Sequence, residues 1–229
     1  MRAIILAAGL GTRLRPLTNN VPKCLLLIKD KPLLEIMLEQ LKESDIGPFL
    51  INTHYLSKQV EEFIETSVFN NQVELVYESQ LLGTAGTLIA NLDFYQGEDG
   101  LLIHADNYFM GDFNAFMQAH KKRPLGCLLT MMTFCTPEPS LCGIVELDKK
   151  GVVIEFHEKV DNPPGNIANG AIYILSKELM SILKTDFRNS KDFSIEVLPA
   201  MIGKIFTYET KGFFIDIGTT KNLKKANQF

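Results

Sequence analysis

Two hydrophobic periods run along this chain, and they alternate. Residues 3–7 form a short unbroken apolar run that stops at glycine, the pattern of a strand buried on both faces. Leu33, Leu34, Met37, Leu38 and Leu41 recur at helical spacing directly after Pro32, a residue suited to the first turn of a helix. Residues 48–53 predict a second strand, Val60, Phe63 and Ile64 a helix capped by Ser57, and residues 73–77 a third strand. Gly83 opens a helix over 84–92, and 101–104 is a fourth strand ending near Asp106. Strand, helix and strand at this spacing indicate parallel βαβ units with right-handed crossovers.

The texture changes after a helix over 112–120, which Asp112 caps. Residues 127–134, 143–147, 152–157 and 171–175 read as strands, with Asp148-Lys149-Lys150-Gly151 as a hairpin turn between the second and third of them. Short helices over 179–183 and 195–201, strands over 205–208 and 213–215, and a closing helix from about Thr220 complete the pattern. No repeat, low-complexity stretch or linker interrupts it, and Asn162-Pro163-Pro164-Gly165 is a rigid loop inside a single domain.

Composition narrows the class. Hydrophobic residues make up 46% and charged residues 22% of the 229, which excludes disorder across the whole chain. With 23 Lys plus Arg against 27 Asp plus Glu, the net charge of −4 disfavours a general nucleic-acid binder but leaves small anionic substrates open. No apolar run approaches the roughly 18 residues that span a bilayer, and the start reads as a buried strand, so no membrane partner and a cytoplasmic location are expected. Cys24, Cys127, Cys135 and Cys142 form no Cys-x-x-Cys pair and read as free thiols of a reducing compartment. His54, His104, His120 and His157 have no metal-ligand spacing and read as structural.

The chemistry concentrates where the first strand ends. Leu6, Ala7 and Ala8 lead into Gly9-Leu10-Gly11-Thr12-Arg13-Leu14-Arg15-Pro16-Leu17-Thr18, followed by Pro22-Lys23. Without bulky side chains, the N–H groups of Gly9, Gly11 and Thr12 can approach an anion closely. Arg13, Arg15 and Lys23 add three cations with no acid between them, as a polyphosphate leaving group requires. A P-loop is excluded because Gly-Lys followed by Ser or Thr never occurs, and a dinucleotide fingerprint fails at Leu14.

This run resembles the signature of the sugar-1-phosphate nucleotidyltransferases, and later segments follow that family's order: Leu82-Gly83-Thr84-Ala85-Gly86, Ala105-Asp106, Glu158-Lys159, Asn169-Gly170 and Asp216-Ile217-Gly218. The resemblance implies a single Rossmann-like α/β domain over 1–229, with a central mixed, mostly parallel sheet flanked by helices. It also implies a nucleotide-binding half over 1–120, a sugar-phosphate-binding half over 121–229, and no C-terminal β-helix domain. The implied reaction transfers a nucleoside monophosphate from an NTP to a sugar 1-phosphate and releases pyrophosphate. By family position Arg13 holds the departing pyrophosphate and Lys23 the nucleotide phosphates. Asp106 and Asp216 hold Mg²⁺, Gly83 and Thr84 bind nucleotide, Gly143, Glu158 and Asn169 face the sugar, and Lys159 binds the sugar phosphate. Val160 stands where a proline often follows the Glu-Lys pair, Ala105 replaces a frequent glycine, and Asn169-Gly170 lacks an intervening alanine.

Glu78 stands five residues before Gly83, where the family reads the base. A carboxylate only accepts hydrogen bonds, and guanine offers adjacent donors at N1 and N2, so GTP is favoured; Gln80 is an equal candidate. The 82–88 segment and His104-Ala105-Asp106-Asn107 are similar to guanylyltransferases acting on mannose or manno-heptose 1-phosphate. Thymidylyl, uridylyl and cytidylyl transfer remain open, as does a non-catalytic nucleotide-sugar-binding regulator. The sequence sets neither the sugar nor the oligomeric state.

Overall fold

A computed structural model describes all residues, 1–229. From the amino terminus the chain forms β1 (Ala3–Leu6), β2 (Leu27–Ile28), β3 (Lys31–Pro32), α1 (Leu33–Glu43), β4 (Phe49–Thr53), α2 (Ser57–Thr66), β5 (Val73–Tyr77), α3 (Gly83–Ala90) and β6 (Gly100–His104). There follow β7 (Asn107–Met110), α4 (Phe113–Lys121), β8 (Leu129–Cys135), β9 (Gly143–Leu147), β10 (Val153–Glu158), β11 (Ile167–Leu175), α5 (Lys177–Asp186), β12 (Ile205–Glu209), β13 (Phe213–Asp216) and α6 (Thr220–Gln228). The residues group into two compact units, each discontinuous in sequence. The first takes Met1–Leu81, Ile103–Met110 and Phe213–Phe229, and the second Leu82–Leu102 and Gly111–Gly212. This division is cut differently from the halves expected at residue 120: 82–102 and 111–120 fall in the second unit, and 213–229 joins the first.

In the first unit β1 pairs in parallel with β4, and β4 with β5, as the spacing of their apolar runs requires. Ile4, Ile5, Leu50 and Ile51 are buried, so β1 and the first three residues of β4 read as hydrophobic runs, and the polar Asn52 and Thr53 that end β4 are buried as well. Helix α1 presents Leu33, Leu34, Met37, Leu38 and Leu41 as one buried stripe. Each such leucine contributes about 1.5–3 kcal/mol of burial. Helix α2 does not use Ser57 as a cap. Leu56, in the left-handed region at φ 54, occupies that position, and Ser57 is already helical. Strand β13 forms where its apolar run predicts it. The β2–β3 hairpin and strand β7, the partner of β13, were not legible in sequence, since each of those strands is four residues or shorter and lacks period-two alternation.

The second unit is mixed. Strands β9 and β10 are antiparallel, β11 pairs antiparallel with β8 and β9, and β12 lies parallel to β8. The Asp148 turn forms as expected, with Oδ1 accepting from the N–H groups of Lys150 and Val152. Asp112 likewise caps α4, accepting from Ala115 N at 2.9 Å. Strand β11 starts at Ile167, earlier than its apolar run, because its register shifts between Asn169 and Tyr173. The helix expected over 195–201 is instead a π-helical turn, Phe193–Val197, and a 3-10 turn, Pro199–Met201, since Pro199 cannot donate a helical hydrogen bond. No helix is long and apolar enough to cross a membrane.

Asp99 ties several of these elements together. It accepts from the N–H of Lys177 at 3.0 Å and faces Nε2 of the buried His120 at 3.2 Å, whose Nδ1 meets the Thr130 hydroxyl. The His120 hydrogen bond, helped by the Lys177 amide and opposed by partial burial, holds the Asp99 carboxyl below its ordinary value of 3.8. A depressed carboxyl contributes stability above its unfolded pKa and loses it as pH falls through the folded one. Acid unfolding below about pH 4 is therefore expected to flatten in Asp99→Asn; parallel melting curves of the two proteins from about pH 6 to about pH 2.5 would assign the acid sensitivity elsewhere.

Candidate active site

Strand β1 hands the chain to the glycine turn at Leu6, whose carbonyl accepts from Ala105 N at 3.0 Å. The Ala7 N–H donates to Asn52 Oδ1 at 2.7 Å, Ala8 is buried, and the space beside Gly9 is open. Gly11 sits at φ +62, and its carbonyl accepts both from the Thr18 hydroxyl at 2.7 Å and from Leu14 N at 3.0 Å. Thr12, Arg13 and Leu14 form a 3-10 turn. Leu14 sinks into a core cluster with Leu26, Ile28, Leu33, Tyr108, Ile217 and Ala226. With Leu14 anchored there, Thr12 and Arg13 remain exposed.

Two distant aspartates meet Lys23. Its ammonium contacts Asp106 Oδ2 and lies 3.3 Å from Asp216 Oδ1, with the lysine side chain 13% exposed. The convergence has a backbone cause: β7 and β13 pair antiparallel with Asp216 opposite Asn107, and Ile217 N donates to Asp106 O at 3.0 Å. Arg13 reaches the same place. A Cβ built on Gly218 would lie 2.8 Å from Arg13 Nη2 and 2.8 Å from Asp216 Oδ2, so Gly218 leaves room for both groups.

The two carboxylates are electrostatically unequal. Burial opposes ionisation of Asp106, but the Lys23 charge, His104 and the Lys23 hydrogen bond outweigh it and hold its pKa low. Burial and repulsion from Asp106 push Asp216 up, with Lys23 and Arg13 offsetting only part of the shift. Two oxygen donors facing one cation form the donor set that a hard divalent ion takes.

A second constellation forms within the second unit. Glu158 is opposite Gly143 in the β9–β10 register, and a Cβ at Gly143 would come within 2.6 Å of Glu158 Oε2. Glycine is thus what lets the carboxylate lie across β9. Lys159, at φ +50 and 64% exposed at its side chain, pairs with Glu158 Oε1 at 2.9 Å. Asn169 donates from Nδ2 to the Tyr173 hydroxyl at 2.8 Å, while its Oδ1 accepts from Ala171 N. Tyr173 is fully buried, which pushes its phenol well above the ordinary range. Sequence reasoning missed Tyr173; its signal was a lone hydroxyl inside the apolar run 171–175.

Residues 2–229 match the family model described as nucleotidyl transferase. The chain belongs to the nucleotidyl transferase family. It is 30% identical over 230 residues to a putative mannose-1-phosphate guanyltransferase of Sulfolobus acidocaldarius, covering 98% of this chain and 62% of that protein. It is 32% identical over 196 residues to D-glycero-alpha-D-manno-heptose 1-phosphate guanylyltransferase of Campylobacter jejuni, covering 86% of this chain and 83% of that one. The solved structure of HddC from Yersinia pseudotuberculosis complexed with GMP-PN superposes with a TM-score of 0.83 at 26% identity, covering 99% of this chain and 98% of that chain. The chain therefore spans about three fifths of the Sulfolobus relative's length (62%) and most of the other two.

Three residues expected at the nucleotide site of this nucleotidyl transferase, Glu78, Gly83 and Thr84, lie against other parts of the chain. Glu78 is 4% exposed, and its Oε1 accepts from Asn52 Nδ2 at 2.9 Å, so the carboxylate is turned inward onto β4. Gln80 is the exposed member of that pair. Gly83 and Thr84 brace a neighbouring segment: Thr84 Oγ1 accepts from Phe193 N at 2.8 Å, and Ala85 N donates to Lys191 O at 3.0 Å. The four cysteines are free, with Cys135 exposed, and burial pushes the Cys24 thiol up to about 12. Glu146, Glu155 and His157 gather their ligating atoms within 4.8 Å of one another, a carboxylate–histidine cluster that arises from strand pairing and leaves no mark in the spacing.

Proposed function

We propose that this nucleotidyl transferase transfers a guanylyl group from GTP to mannose 1-phosphate or a manno-heptose 1-phosphate, forming a GDP-sugar and releasing pyrophosphate. The observation that carries the reaction class is the convergence of Arg13, Lys23, Asp106 and Asp216 beside a glycine-rich turn. The guanylyl and mannose-type assignments rest on the names of the Sulfolobus and Campylobacter relatives and on the nucleotide bound by HddC.

In this reading an oxygen of the sugar 1-phosphate forms a bond to the α-phosphorus. The bond from that phosphorus to the bridging oxygen breaks, and pyrophosphate leaves with the electron pair. Such transfers depend on positioning and charge stabilisation more than on covalent help from the protein. Both reactants are anions, so the first requirement is relief of their repulsion. Lys23 neutralises nucleotide phosphate oxygens, and Arg13, exposed on the turn and reaching the space beside Asp216, holds the departing pyrophosphate. The amides of Gly9, Gly11 and Thr12 hold the triphosphate with no side chain in the way. Leu6, Ala7 and Ala8 shape the floor of this nucleotide site. Asp106 and Asp216 would hold magnesium through two carboxylate oxygens, and the bound ion would supply screening of the triphosphate and of the leaving-group charge. In the second unit Lys159 binds the sugar phosphate, while Glu158, Asn169 and the open backbone at Gly143 receive sugar hydroxyls. Gln80 meets the base edge with an amide that donates and accepts.

Pyrophosphate release from a panel of GTP, UTP, dTTP, CTP and ATP with mannose, manno-heptose and glucose 1-phosphates tests the reading, each with and without Mg²⁺. GTP with a mannose-type phosphate is expected to lead, and only with the metal. A different leading pair would replace the substrate assignment; activity confined to NAD and an alcohol would end the nucleotidyl reading.

A further inference from the structure

Asn52 is a polar residue in a place that ordinarily holds an apolar one. It lies in the otherwise buried strand β4, 3% exposed, opposite Leu6 in the β1–β4 register and opposite Val76 in the β4–β5 register. Its amide bridges two groups. Oδ1 accepts from the Ala7 N–H at 2.7 Å, and Nδ2 donates to Glu78 Oε1 at 2.9 Å. Glu78 is itself held at the end of β5, its N–H on Thr53 O at 2.8 Å and its carbonyl against His54 Nδ1 at 2.7 Å.

The direction of this chain of hydrogen bonds is forced. A backbone N–H can only donate, so the Asn52 oxygen must face Ala7 and the nitrogen must face residue 78. That nitrogen then needs an acceptor, which a carboxylate provides and a buried apolar side chain does not. Ala7 is the first residue past β1, and with its N–H committed here the glycine turn starts from a fixed point at the carboxyl end of a parallel strand, the edge where open sheets bind ligands.

We propose that Asn52 and Glu78 form a positioning pair that sets the glycine turn, residues 9–12, for the nucleotide phosphates. Glu78 acts on the nucleotide through Asn52 and Ala7 and does not read the base. This inference rests on the nucleotide-binding reading of that turn, but its central claim concerns the polarity of the relay.

Polarity can be reversed. In Asn52→Asp the first carboxylate oxygen still accepts from Ala7, but the second meets the Glu78 carboxylate across a buried contact. In the double variant Asn52→Asp with Glu78→Gln, the amide introduced at position 78 donates to the carboxylate introduced at position 52, and the relay closes again with the same net charge. Amide hydrogen exchange over residues 7–14, followed by mass spectrometry, reads the turn directly, and steady-state kinetics with GTP and a sugar 1-phosphate reads its consequence.

Asn52→Asp is expected to exchange about ten-fold faster over this segment and to lose about ten-fold or more in kcat/KM for the nucleotide, with KM for the sugar phosphate within about two-fold of wild type. Glu78→Gln alone, whose amide oxygen still accepts from Asn52, is expected within about three-fold of wild type, and the double variant should return there by both readouts. A double variant as impaired as Asn52→Asp, or an unaltered Asn52→Asp, would overturn the proposal. If Asn52→Asp does not fold, a double variant that melts like wild type supports the relay and one that also fails overturns it. A wild-type protein that turns over no nucleotide defeats the proposed function alone, because the exchange measurements still judge the relay.

Discussion

Asp106→Asn is expected to lower turnover by about 10²- to 10³-fold while the melting temperature stays within a few degrees of wild type. The substitution keeps the size and one acceptor oxygen but removes the charge. In the wild-type protein that charge is held ionised by the Lys23 ammonium, despite burial. Lys23 keeps Asp216 within 3.3 Å, so the ammonium is not stranded when Asp106 is neutralised, and the fold has no reason to fail. The loss should fall mainly on kcat, because the carboxylate's work is done where charge builds on the departing phosphate. Pyrophosphate-release kinetics beside a thermal melt decide the matter: wild-type turnover with a native melt removes Asp106 from the reacting centre.

Gly83→Ala is expected to produce the largest loss of stability, about 3–5 kcal/mol, or roughly 10 °C in melting temperature. Two penalties coincide there. Gly83 has φ +80, a conformation that L side chains rarely adopt, and an added Cβ would collide with the Lys191 carbonyl oxygen and sit 3.0 Å from its carbon. That carbonyl cannot yield cheaply, since it accepts from Ala85 N, and the adjoining turn is tied to Thr84 through Phe193 N. Gly97→Ala is the control, with a similar φ of +75 and nothing within 4 Å of the new methyl. It should cost only the backbone strain, about 1–2 kcal/mol. Equal shifts for the two variants in differential scanning calorimetry would show that the Lys191 contact carries no cost.

Local pattern was a good guide wherever an element's stability is local. The buried runs of β1 and β4 need only short hydrophobic segments flanked by breakers, and α1 needs only its leucine stripe after Pro32. Caps were legible when the capping side chain bonds within three residues, as with Asp112 and Ala115. Ser57 misled because Leu56 takes the left-handed conformation at that helix start, which a leucine adopts only under tertiary constraint. Strand β7 escaped notice for a different reason: it is stable only as the partner of β13, which lies a hundred residues further along the chain.

The site divides along the same line. The glycine turn with Arg13, Arg15 and Lys23 could be found in sequence because an anion cradle needs small residues and cations close together in the chain, and the expected ligand chemistry follows from those residue types alone. Long-range pairing was needed to bring Asp106 and Asp216 onto one ammonium and to turn Glu78 inward onto Asn52. Residue type states what a side chain can donate, accept or neutralise. Which partner it meets, and whether water still reaches it, depends on strand register and burial, and those arise only when segments far apart in the chain pack together.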